Sequence, residues 1–550
     1  MIDNIKKIAG ILCATYMLGA CQDVMDYKEY VVNDKELVDG NFSYVGGLMA
    51  TVYRQLDYDY GQLYGGAMLA SATDEAEYAY TGTSIDEFYN GAWSPSVPKG
   101  ELWTSAYKGI TYCNLVLDKF QGLTFPEVEV NDDYDKQMHR YENYKYEARW
   151  ARAYFYFTLV RQYGGVPLVT SDITHEEANH LTRATADEIF KFIETECDDI
   201  KDKITADYNT DPWMIDAAET GRADRLTVLA LKARAALYHA SPLFNTNNDN
   251  NLWLQAALAN KELIEEAEAR GKKLATKYES LWSETNYSDA DAAGEIIFAR
   301  RVGSVATPES YNFPIGIEGG KGGNCPTQNL VDAYELNDKR FALTIAQNDD
   351  KWPSTNKNAL QTYYGGANAQ PLSGGTPTGY YLKKLCDSSI DLSADSKKKD
   401  SKHTWVTFRL GEFYLNYAEA VYKYLGDAEA TTGELPMSAK EALQKTRERA
   451  GLGVLSSTDD FWEKYKNERF VELAFEGHRF WDVRRWKEAD KYFKDIIELK
   501  LTKNDDGSVT SERHIIHRQW NDKMYLFPIP QSERVKNRNL AQNPGWDNVQ

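Results

Sequence analysis

Arg222-Ala223-Asp224-Arg225-Leu226-Thr227-Val228-Leu229-Ala230-Leu231-Lys232-Ala233-Arg234-Ala235-Ala236-Leu237-Tyr238-His239-Ala240 reads as a slim helix. Leu226, Leu229, Ala230, Ala233 and Leu237 follow the i, i+3, i+4, i+7 spacing of one helical face. Alanines at 230, 233, 235, 236 and 240 leave little side-chain bulk, so neighbouring helices can approach closely. Comparable runs occur at Tyr146–Tyr163, Thr185–Lys203, Trp253–Arg270, Thr407–Leu425, Ser438–Ala450 and Tyr465–Trp486. Thr185 with Glu188 and Ser438 with Glu441 form capping boxes, which start helices at defined residues. Several runs fall into consecutive pairs joined by turns, which suggests tetratricopeptide-like units, although no fixed 34-residue period recurs. A minor β component is expected at Leu499–Thr502 and Val509–Ile516, around the turn Asn504-Asp505-Asp506-Gly507.

Between the helices lie three long irregular segments rich in aromatics: Asp74–Lys99, Arg300–Pro326 and Trp352–Tyr381. Long loops without secondary structure of their own are usually functional, so a ligand is expected there. No Pro-, Ser- or Gly-rich linker divides the 550 residues into independent blocks, and a single large domain is expected.

The formal charge of −20 repels a phosphate backbone and argues against nucleic acid as a partner. Four cysteines lie beyond Cys21; Cys113 and Cys197 fall in helix-like runs, while Cys325 and Cys386, in loops, could be bridged or could be isolated thiols. No CxxC, His-rich cluster, nucleophile elbow or phosphate loop points to a metal, a cofactor or a catalytic centre.

At the N-terminus, Lys6-Lys7 precedes the apolar run Ile8–Leu18, and Leu18-Gly19-Ala20-Cys21 closes it. This is the pattern of a lipoprotein leader, with cleavage expected before Cys21 and acylation of that residue. Residues 1–20 are thus read as signal peptide, 21–40 as a lipidated tether and 41–550 as the folded domain.

Three blocks carry a family resemblance: Tyr146–Phe157 running on to Tyr163-Gly164-Gly165-Val166-Pro167-Leu168, Phe408–Ala420, and Asn467–Trp486. With Asp338-Lys339-Arg340-Phe341, the ending Tyr525–Pro530 and the leader, they resemble the SusD/RagB family of outer-membrane nutrient-binding lipoproteins. The resemblance implies a mainly α fold of four tetratricopeptide-like helix pairs, packed against an irregular, loop-rich ligand-binding region with minor β hairpins. It also implies exposure on the outer face of the outer membrane and pairing with a TonB-dependent, SusC-like transporter.

Within the blocks, Arg409, Glu412, Asn416 and Glu419 form a polar stripe along an otherwise apolar helix, best read as a buried network docking other helices. Glu468, Glu472 and Glu476 form an i, i+4 acid ladder that Arg469, Arg479, Arg484 and Arg485 are expected to balance. His478 has no second ligand at metal spacing, and Trp103 and Trp150 read as core.

A neutral sugar presents a C–H face suited to an aromatic ring and a rim of hydroxyls suited to amides and carboxylates. Tyr89-Asn90-Gly91-Ala92-Trp93 supplies both kinds of group. The positions of the family's stacking aromatics add Tyr311 and Phe313 to Trp93, and Asp74 is taken as a hydroxyl acceptor. A glycan-binding accessory to a transporter is the leading reading. A peptide-binding accessory shares the fold, and a surface glycoside hydrolase would need two carboxylates flanking a cleft. Replacing Cys21 by Ala should leave a soluble, unlipidated protein; mass spectrometry finding a free Cys21 in the wild-type protein would overturn the anchor.

Overall fold

The computed structural model describes residues 41–97, 102–215, 217–456 and 459–547. The leader, Cys21 and the tether lie outside the described residues. Ten helices carry the architecture: α1 Phe42–Arg54, α2 Trp103–Lys119, α3 Tyr134–Tyr163, α4 Ala186–Ile200, α5 Arg225–Ala240, α6 Asn250–Ala269, α7 Leu410–Leu425, α8 Ala439–Ala450, α9 Phe461–Glu472 and α10 Arg479–Arg485. From α1 to α9 each helix packs against the next. The α6–α7 contact is the exception to sequence proximity, because residues 270–409 leave the array between them.

The alanine-rich helix α5 is the centre of this array, touching α3, α4, α6 and α7. All its residues except Arg225 and Lys232 are buried, which methyl side chains allow on every face. Its start is fixed by Asp224, whose Oδ1 accepts the Thr227 N–H at 2.9 Å. Both expected capping boxes form, with Thr185 and Glu188 at the head of α4 and Ser438 and Glu441 at the head of α8. Trp103 and Trp150 are core residues, and no described helix is long and apolar enough to cross a membrane.

Strands are few and paired in twos. β1 (Ala76–Tyr78) pairs with β3 (Asn324–Pro326), and β2 (Ile296–Val305) pairs antiparallel with β4 (Ser401–Arg409). β5 (Asp495–Lys503) and β6 (Val509–His517) make the expected hairpin, longer than its apolar pattern suggested. Two expected helices are corrected. Thr407 to Arg409 belong to β4, where Trp405-Val406-Thr407-Phe408 prefers the extended state, and the helix starts only at Leu410. The Tyr465–Trp486 run is broken between Glu472 and Arg479, where Phe475 and Gly477 take positive φ values of 61° and 78°.

That break moves Glu476 off the acid ladder, and none of the four expected arginines balances the ladder. Glu472 is met by Arg340 at 2.8 Å, Arg409 at 2.6 Å and Arg449. Glu468 pairs with Arg340 at 2.6 Å, and Glu476 with Arg409 at 2.7 Å and Lys384 at 2.8 Å. Arg469 instead holds Asp482 at 2.6 Å and Asn416 at 2.7 Å, while Arg485 holds Glu419 and Asp482. Arg479 pairs with Asp74, and Arg484 donates to the Phe480 and Met524 carbonyls. The polar stripe of α7 is buried as expected, with Glu412 on Arg234, Asn416 on Arg469 and Glu419 on Arg485. Burial pushes the Glu472 carboxyl up, but Arg449, Arg409 and Arg340 together hold it well below the usual carboxylate range. Glu472→Ala should cost about 3–5 kcal/mol by leaving buried guanidinium charge unmatched, read as a lower melting temperature in circular dichroism.

Candidate functional site

The three aromatic loops meet. β1 and β3 join the first two through Ala76↔Pro326 and Tyr78↔Asn324, and the Ala79 N–H continues the contact to the Gly323 carbonyl at 2.9 Å. Asn324, fully buried, fastens the junction. Its Oδ1 accepts from the Met68 N–H at 2.7 Å and Ser71 Oγ at 2.8 Å, and its Nδ2 donates to the Gly66 carbonyl and Asn312. Tyr80 then donates its hydroxyl to the Lys321 carbonyl at 2.8 Å. The third loop arrives at the same point through Gly374, at φ 77°, where a Cβ would lie 2.4 Å from Tyr80 Oη and 2.7 Å from the Lys321 carbonyl. Only glycine fits there.

The resulting surface is aromatic and polar. Tyr78 and Tyr80 lie 5.5 Å apart, centroid to centroid, and the Lys321 ammonium sits 4.7 Å above the Tyr311 ring. Tyr80 and Tyr311 are half-buried and Lys321 is exposed. Tyr89 and Asn90 reach the surface beside the base of the β5–β6 hairpin. The Arg518 guanidinium lies 4.2 Å over the Tyr89 ring, and the Gln519 N–H donates to the Tyr89 carbonyl at 2.8 Å.

Three of the expected binding residues are not on this surface. Trp93 is 3% exposed, with its ring 4.7 Å from Phe527, 4.8 Å from Phe88 and 5.1 Å from Trp546; it is core, with no free face for a sugar. Phe313 is buried against Trp352 at 5.8 Å. Asp74 is buried, with its oxygens 2.9 Å and 2.6 Å from the Arg479 guanidinium, so it faces the core and not the surface. Tyr311, Tyr89 and Asn90 remain accessible. Tyr80 and Lys321 stand on the same face, where Gly319-Gly320-Lys321-Gly322-Gly323 signals in the sequence a close backbone approach.

Cys325 and Cys386 are free thiols that donate to the carbonyls of Gly322 and Pro308. Among the described residues, no group of three or more ligand-type side chains could hold a metal ion. A cavity with Asp57, Asp59 and Glu476 in its lining has a volume of about 70 Å³, far below the ~300 Å³ lower end for small-molecule sites.

These features define a mainly helical protein in which three aromatic loops converge on one face. Comparison with known proteins gives the family. A family model described as SusD family matches residues 279–546, and one described as starch-binding, associating with the outer membrane, matches residues 48–216. SusD-like protein P2 of Formosa agariphila is 24% identical over 468 residues, 81% of this chain and 80% of that protein. A SusD-like protein from Bacteroides fragilis superposes with a TM-score of 0.73 at 24% identity, covering 92% of this chain and 97% of that one. A SusD-like carbohydrate binding protein from the same species gives 0.71 at 21% identity, over 91% and 99%. A laminarin binding SusD-like protein gives 0.64 at 21% identity, over 92% and 99%. The chain belongs to the SusD/RagB family.

The base of β1 is tied to the helical array by buried polar contacts. Arg518 donates to the Thr73 carbonyl at 2.7 Å, Arg479 holds Asp74, and Glu75 accepts the Phe475 N–H. Burial lifts the Glu75 carboxyl from 4.5 to about 8, so it stays protonated in the folded protein at neutral pH. A carboxyl that binds its proton more tightly when folded contributes stability that is whole below about 4.5 and declines as pH rises towards 8. Glu75→Gln has no proton to lose. Its melting temperature relative to the wild type should therefore climb between pH 5 and about pH 8, and a constant difference would show that Glu75 is charged throughout.

Proposed function

We propose that this protein captures oligosaccharide at the outer surface of the cell and delivers it to a TonB-dependent, SusC-like outer-membrane transporter. The meeting of three aromatic loops at Tyr80 carries the reading, because it gives a member of this family a rigid platform of stacking rings and hydrogen-bonding groups. Tyr80 and Tyr311 are the stacking rings, Lys321 donates to hydroxyls, and Tyr89 and Asn90 contribute from the flank. The role is binding without turnover, and it needs no cofactor. The lipid on Cys21 holds the protein in the plane of the membrane, which raises its effective concentration at the transporter. The names of the carbohydrate binding and laminarin binding relatives support a glycan over a peptide as the cargo.

A glycan array that includes starch and laminarin, run beside a peptide pool, tests the reading. Binding confined to the peptides would replace it with peptide capture. Tyr80→Ala and Tyr311→Ala should each weaken glycan binding by about 2 kcal/mol or more with the fold intact, whereas Trp93→Ala should lower stability instead. Mild-detergent extracts of native outer membrane should yield a large β-barrel with this protein, and recovery as a lone monomer in several detergents would argue against the transporter.

A further inference from the structure

A second recess opens in the loop-rich region, between residues 278–285, 342–352 and 383–398. Its volume is about 570 Å³, within the ~300–1,000 Å³ range of small-molecule sites, and it shares no lining residue with the three-loop face. Trp352 lines it while packing its ring on Phe313, the buried neighbour of Tyr311 in the second loop.

Most of the charge in the lining is paired, Glu279 and Lys351 apart, and hydroxyls stand beside it. Lys398 donates to Asp387 at 3.1 Å, Glu284 at 3.3 Å and Ser389 Oγ at 2.7 Å. Lys383 pairs with Asp350 at 2.8 Å, and Lys384 with Glu476 at 2.8 Å. Burial raises the Asp387 carboxyl, but Ser389, Lys398 and Ser401 hold it at about 2, so the Asp387–Lys398 pair stays ionised at neutral pH. Because these charges are already balanced, an ionic ligand gains little from them. A neutral polyol, whose adjacent hydroxyls both donate and accept, can use both members of the Asp387–Lys398 pair.

Two observations point to a ligand in this recess. The indole N–H of Trp352, in a side chain 8% exposed, has no acceptor among the described residues and is closed off from solvent, a cost that a bound hydroxyl would remove once the ring turns towards it. Leu385, also in the lining, is held at φ 73°, a strained conformation for a branched side chain of the kind that collects at ligand clamps. Trp282 supplies a half-buried indole wall, with the Lys384 ammonium 4.2 Å over its ring. We infer that this recess is a second binding site, for one or two units of a neutral saccharide, separate from the three-loop face.

The inference adds a site to the glycan-binding reading and can fail without it. The purified protein is titrated calorimetrically with maltotriose, laminaritriose, cellotriose, xylotriose and mannotriose, each separately. At least one should bind at two sites per chain. Trp352→Phe, which keeps the ring and removes the N–H, should weaken one site about fivefold, the worth of one hydrogen bond, and leave the other unchanged. Lys351→Ala, an exposed change at the same rim, should weaken the same site. Tyr80→Ala should remove only the other. A single site that vanishes with Tyr80→Ala, or no trisaccharide bound while the array still reports polysaccharide binding, overturns the second site alone. Loss of all array binding overturns the glycan reading itself.

Discussion

A carboxylate with no exposure to water, Glu472, sits among three guanidiniums, and the arrangement of the molecule follows from where those guanidiniums come from. Arg340 belongs to the loop-rich excursion, Arg409 ends β4 at the entry to α7, and Arg449 lies in the last turn of α8. Glu295 joins Arg409 to Arg449 from the other side. A buried ion group costs several kcal/mol when a single member is missing, so each segment has essentially one acceptable position. The network therefore acts as a register pin between the helical array and the loops. It offers little net stability over a well-packed apolar alternative, and its value is in excluding misaligned packings.

The same logic explains what the chain reveals locally and what it hides. Capping boxes at Thr185 and Ser438 and the hairpin around Gly507 involve partners a few residues away, and the alanine faces of α5 show in residue size alone, so all three are legible. The polar stripe on α7 is legible too, since charge on an apolar helix has to be matched somewhere. The identity of the match is not: Glu472 draws on residue 340, and Asp74 on residue 479. The end of α9 is hidden for the same reason. Its continuation is helical by pattern, but Glu75 takes the Phe475 N–H and Arg409 and Lys384 take the Glu476 carboxylate, which pulls the chain out of the helix.

Site residues divide in the same way. Aromatic density marks three loops that the fold brings together, yet it cannot tell a ring that faces outward from one that anchors the loop. Trp93 is drawn inward by Phe527 and Trp546, more than 430 residues away, while the less conspicuous Tyr80 stays at the surface because its hydroxyl bridges two loops. Asp74, taken in sequence as a hydroxyl acceptor, stands with Glu75 in the footing of β1.

The direct packing of α6 on α7 has a consequence for how such a chain can change over time. Residues 270–409 leave the array and return to it at adjacent points, so the array closes through the α6–α7 contact and draws only a few residues, such as Phe298 and Phe408, from that segment. Doubling the length of a flexible loop costs only about 0.6 kcal/mol in closure entropy. Insertions, deletions and wholesale rewriting of the excursion are thus nearly free for the scaffold, provided that Arg340 and Glu295 keep their places in the ion network. The helices are the heritable chassis and the excursion its exchangeable tool, which lets one ancestral body be refitted for many different cargoes.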